Sequence, residues 1–175
     1  MISIKFLNLI VNNADHLSRS WCEEVRKTEY MKTYQKFQED ELIKRNKKFF
    51  ENLAQWVKTG LSRKEIGNYF VGVGKERYQE RFPLSEIHYG VFLAKKVIYN
   101  MILAEALLDS AVEIYQSMEL VTMVYNFFDT GNFYLTRGYL EEMYADLGRS
   151  KKFTEKEMNQ YFPPGSFFHQ DLHFI

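Results

Sequence analysis

Apolar residues recur at three- and four-residue steps along most of this chain, the spacing of helices that each bury one stripe. The pattern is clearest in RYQERFPLSEIHYGVFLAKKVIYNMILAEA, from Arg77 to Ala106. Pro83 suits a first helical turn, where its missing N–H has no partner, and Glu86 places negative charge near that end. Leu84, Ile87, Val91, Ala94, Ile98 and Ile102 then share one stripe, which predicts a buried central helix from about Pro83 to Leu108.

The same spacing organises the flanks. Phe6, Ile10, Ala14, Leu17, Trp21 and Val25 predict a first helix reaching Lys27, with Asn13 or Asp15 as the alternative cap of a later start. Tyr30 to Phe37 is loose and aromatic, a connection with one short turn. A second helix covers Asp40 to Lys58, with Leu42, Phe49, Leu53, Trp56 and Val57 inward, Lys44, Arg45, Lys47 and Lys48 on a solvated surface, and Gly60 at its end. Ser62 and Glu65 form a capping box for a third helix from near Arg63 to Arg81. Gly67, Gly72 and Gly74 lie inside it, each costing about 1 kcal/mol relative to alanine, so close approach of a neighbouring helix is expected to offset them. A final helix runs from Val112 to Leu147. Its Ile114, Met118, Val121, Tyr125, Phe128, Leu135 and Tyr139 fall near a 3.5-residue spacing, the pattern of a seam against partner helices. At about 50 Å it exceeds what one small core needs, so Tyr125, Phe128, Leu135 and Tyr139 are expected at a dimer interface. Gly148 closes it, and Thr154 with Glu157 caps a short turn before Pro163 and Pro164. Strand alternation, repeats and low-complexity linkers are absent from the sequence. The expectation is an all-α bundle of about five or six helices with a long C-terminal helix. One domain over residues 1–148 is followed by a helical turn and aromatic tail over 149–175.

Composition narrows the partners. At 175 residues, 46% of them apolar and with 15 Phe and 12 Tyr, the chain has ample material for one folded core. Lys plus Arg equals Asp plus Glu at 23 each, so no net field draws it to nucleic acid or anionic lipid. A single cysteine, Cys22, excludes an internal disulfide and fits a reducing compartment, most simply the cytoplasm. The apolar opening ISIKFLNLIV is too short to span a bilayer and has no small-residue cleavage site after it.

Tests for chemistry return little. GVGKER at Gly72 to Arg77 lacks the glycine and hydroxyl of a phosphate loop, and none of His16, His88, His169 or His173 has the Glu-x-x-His spacing of a di-iron site. His88 lies on the edge of the apolar stripe, one turn before Phe92. It is either a partly buried packing residue or an axial haem ligand. His169, Asp171 and His173 share a face if the tail is extended and could hold a divalent metal; otherwise the aromatics simply pack that tail. Asp129 and Glu105 are carboxylates in apolar sequence, with no nucleophile or base placed beside them. Cys22 beside Trp21 is either a reactive thiol or an inert packing group. No enzyme constellation emerges, and no cofactor is expected apart from the haem alternative.

Two stretches resemble a known family. ERYQERFPLSEIHYGVFLAKKVIY is similar to the Arg-Phe-x-x-Gly-Phe-Pro-Leu-Ser-Glu signature in the amino-terminal domains of RsbR-type proteins, the RsbT co-antagonists, with Arg81 where many relatives carry glycine. ELVTMVYNFFDTGNFYLTRGYLEEMY resembles their closing helix, with its Phe-Asp, paired aromatics and Arg-Gly-Tyr, and WCEEVRKTEY resembles their Trp-x-x-x-Val segment. The resemblance implies a globin-like helical fold without haem, dimerising through its long helices and acting in stress signalling as a signal-input module for a small ligand or protein partner. Such domains often precede a STAS or kinase output domain and also occur alone. Here no output domain follows Leu147, and a sensory or scaffold role is the expectation.

Overall fold

Each predicted stripe becomes a helix. The computed structural model describes residues 4–59, 62–105, 110–150 and 152–166, and among these are seven α-helices, one 3₁₀ turn and no strand. α1 spans Ile4–Asn12, α2 Ala14–Lys27, α3 Glu39–Thr59, α4 Arg63–Gln79, α5 Leu84–Glu105, α6 Ala111–Ser150 and α7 Glu155–Tyr161. The expected first helix is interrupted at Asn13, whose side-chain amide donates to the Leu9 carbonyl at 2.8 Å instead of capping α2. The capping boxes at Ser62–Glu65 and Thr154–Glu157 both form. Gly148 does not end α6, which continues to Ser150, and the expected stop at Gly60 lies outside the described residues.

The chain divides into two compact units, Met1–Leu61 with Ser85–Asp129, and Ser62–Leu84 with Thr130–Ile175. The division falls inside the stretch expected as one domain, and α6 contributes to both units. In the first unit α1, α2 and α3 pack on one another. Val25, Met31, Phe50, Leu53, Ile98 and Phe128 are fully buried there. The central stripe of α5 behaves as its spacing predicts, with Ile87, Ala94, Ile98 and Ile102 buried. An aromatic cluster joins α3 to α6. The Trp56 and Phe127 rings lie 5.0 Å apart, and Phe49 lies 5.6 Å from Phe128. Such pairs contribute about 0.5–1.5 kcal/mol each beyond the area they bury.

The second unit depends on glycine. α4 and α6 meet backbone to backbone: a Cβ at Gly74 would lie 2.1 Å from the Leu135 carbonyl oxygen, and one at Gly138 would lie 2.1 Å from that of Val71. A turn earlier on α6, a Cβ at Gly131 would enter the Phe70 ring at 2.3 Å. The expected close approach therefore accounts for Gly74. Gly72 faces open space and has no such role. Met158 of α7 is buried, and Tyr144 stacks edge-on against Phe162 at 5.5 Å.

Denaturant titration separates these glycines. Gly74→Ala and Gly138→Ala each destabilise by about 3 kcal/mol or more, because backbone cannot retreat as a side chain can. Gly72→Ala stabilises by about 1 kcal/mol through helix propensity. Equal effects at Gly72 and Gly74 would contradict the backbone contact.

Candidate functional site

The family-like segments are the natural place to look for a site, and their residues prove to be framework. Glu86, in the first turn of α5, is buried, yet its carboxylate is fully engaged. It accepts from the Thr33 N–H at 2.9 Å, the Thr33 hydroxyl at 2.9 Å and the Tyr34 N–H at 3.4 Å. These bonds pin the 3₁₀ turn Tyr34–Lys36 to the start of α5. Trp21 donates its indole N–H to the Gly90 carbonyl at 2.9 Å and meets Tyr34 edge-on at 5.7 Å.

In the second unit, Arg77 pairs with Glu80 and lies over the Phe82 ring at 5.5 Å. The Phe82 carbonyl accepts from the Tyr139 hydroxyl at 2.9 Å. Buried Arg137 donates to Glu141 at 2.8 Å, and Lys75 pairs with the same carboxylate at 2.9 Å. Those two cations hold the Glu141 carboxyl below its ordinary value although burial opposes them. Arg-Gly-Tyr thus supplies an ion pair, a helix crossing and a hydrogen bond to the turn. In that turn Arg81 adopts φ 65°, the left-handed conformation that glycine takes without strain.

The candidate chemical residues do not converge. His88 is half-buried on α5, and desolvation pushes its imidazole below the ordinary value, which leaves it neutral at pH 7. Cys22 is buried and its thiol is pushed up by desolvation, an unreactive state. Asp129 is exposed, contrary to its apolar sequence setting, and pairs with Lys95 at 2.8 Å. His169, Asp171 and His173, with the Glu105 side chain, lie outside the described residues. Among the described residues no group of three or more His, Cys, Asp or Glu is placed to hold a metal ion. None of the described helices is long and apolar enough to cross a membrane.

The interface expectation needs correction. Phe128 and Leu135 are buried in the chain itself, and Tyr139 is bonded to Phe82; of the four, Tyr125 is the exposed one. A 3.5-residue spacing drifts by about 20° per heptad on a straight helix. The seam therefore begins toward solvent at Ile114 and Met118 and turns inward by Phe128. What the spacing missed is a second set, exposed on both long helices within the first unit: Phe92, Tyr99 and Leu103 on α5, with Tyr115, Met118 and Tyr125 on α6. The Tyr99 and Tyr125 rings lie 6.5 Å apart and the Lys95 ammonium sits over Tyr125 at 4.4 Å, so the two rows are neighbours. On another side of α5, facing α2, is a cleft of about 350 Å³ whose lining does not include His88.

Fold and site together define a helical domain whose motif residues build its frame, and which presents a polar cleft and an aromatic face. The profile of the RsbT co-antagonist protein rsbRD N-terminal domain matches residues 15–151, and the chain belongs to that family, one of regulatory signal-input domains. The match runs from α2 through α6. Comparison with curated proteins found no match, and comparison with solved structures found none.

Arg81→Gly should preserve the turn and raise stability by about 1 kcal/mol, the relief of a left-handed side-chain residue. Arg81 is 76% exposed, its Asp146 contact is 3.9 Å, and little is lost with it. A lower midpoint in denaturant would show that the arginine holds the turn in a way its geometry does not reveal.

Proposed function

We propose that this domain works as a homodimeric signal-input module, sensing a small ligand or protein partner and passing the change along α5 and α6, in a cytoplasmic stress-response setting. The observation that carries this reading is the exposed face shared by those helices. Phe92 is 51% exposed, Leu103 55%, Tyr115 69% and Met118 64%, all within one unit. Single exposed apolar residues are ordinary, but a contiguous aromatic and aliphatic surface on paired helices is characteristic of a contact surface. Helical spacing sets the two rows side by side, as a four-helix dimer contact requires.

Sedimentation equilibrium tests it. The wild-type chain is expected as a dimer, and Phe92→Glu or Met118→Glu should each raise the dissociation constant by about 30-fold or more, the effect of placing a charge in an interface core. Both side chains face solvent in the isolated chain, so helical content and melting should hold. A monomeric wild type, or a dimer indifferent to both substitutions, would overturn the proposal.

A further inference from the structure

The cleft between α2 and α5 has a definite chemical character. It is lined by Asn13, His16, Ser20, Glu23 and Glu24 from α2 and by Asn100 from α5, above Leu17, Val97, Met101 and Ala104. Its volume of about 350 Å³ is within the range of small-molecule sites. The lining carries two carboxylates and neither lysine nor arginine. Glu24 is committed, paired with Lys96 at 2.6 Å. Glu23 reaches only Lys27 at 3.9 Å, with both side chains more than two-thirds exposed, so its carboxylate is available at little cost. Beside it, two amides, a hydroxyl and an imidazole offer donors and acceptors to a polyhydroxylated body.

Resting on the signal-input reading above, we infer that this cleft is the sensing site and that it takes a small hydroxylated amine, its ammonium against Glu23 and Glu24 and its hydroxyls against Asn13, Ser20 and Asn100. An anion of the same shape meets two carboxylates and is rejected. α5 carries the cleft wall at Val97, Asn100 and Met101 and the aromatic face at Phe92, Tyr99 and Leu103, so one helix reads both occupant and partner.

Calorimetric titration of the full chain with glucosamine, glucose and glucuronate tests the inference, because the three share a ring and differ in charge. Glucosamine should bind one per chain, glucose about tenfold more weakly, and glucuronate more weakly still. Glu23→Gln should bring glucosamine to the level of glucose, and Ala104→Trp, which fills the cleft, should abolish binding while circular dichroism stays unchanged. Absence of binding by all three sugars, equal binding of glucosamine and glucuronate, or undiminished binding in Ala104→Trp would overturn the site. Native mass spectrometry of the same samples separates the two proposals. A dimer that ignores glucosamine defeats the cleft alone, whereas a monomer that binds it upholds the cleft and defeats the dimer.

Discussion

The Glu86 carboxylate is the constraint on which the first unit depends. Burying a carboxylate costs several kcal/mol unless its oxygens are met by donors, and here the donors come from a connection more than fifty residues away in sequence. Thr33 and Tyr34 can reach it only if the chain after α2 folds back on itself. Arg26 enforces that return by donating to the Gln35 and Phe37 carbonyls at 2.6 Å each, while the Gln35 amide donates to the Val25 and Thr28 carbonyls. With Tyr34 placed, Trp21 has an aromatic neighbour, and its N–H finds Gly90 one turn beyond Glu86. α5 is thereby held against α2 at its start, and the cleft opens further along the same pair of helices.

The second unit answers to a different constraint, the absence of side chains where α4 crosses α6. Both constraints use residues of the family-like segments: Glu86 from the Pro-Leu-Ser-Glu run, Gly138 and Tyr139 from the Arg-Gly-Tyr run, and Trp21 from the first. Their chemistry is absorbed by the frame, so family membership describes a scaffold. Glu23 and Glu24 occupy the open positions of the Trp-x-x-x-Val segment, and Phe92, Tyr115 and Met118 lie outside the quoted motif positions. What this particular chain responds to is therefore carried by residues the scaffold leaves free to vary.

Helices were readable because each has one dominant stripe and clear punctuation; the central helix and both capping boxes needed only local rules. The interruption at Asn13 escaped because the apolar spacing runs through it unbroken. The interface residues escaped for a related reason. Periodicity identifies a shared face but not which flank of a long helix turns inward, and a 3.5-residue row drifts from solvent at Met118 to core at Phe128. Asp129 was misleading for the same cause, since apolar sequence neighbours on a helix point elsewhere. The cleft could not be seen at all, because a gap between two helices is a property of their spacing in space. His16, Ser20 and Glu23 do recur on one side of α2, and that polar row was the available signal.

The account's central claim is that the aromatic face of α5 and α6 is where signals leave the domain through a second copy. Hydrogen–deuterium exchange of the full chain across a dilution series addresses it directly. Exchange should slow with rising concentration in the helical segments 92–103 and 112–125 and stay constant in α3, α4 and α7. Concentration-independent exchange in those two segments, or protection appearing elsewhere instead, would contradict it.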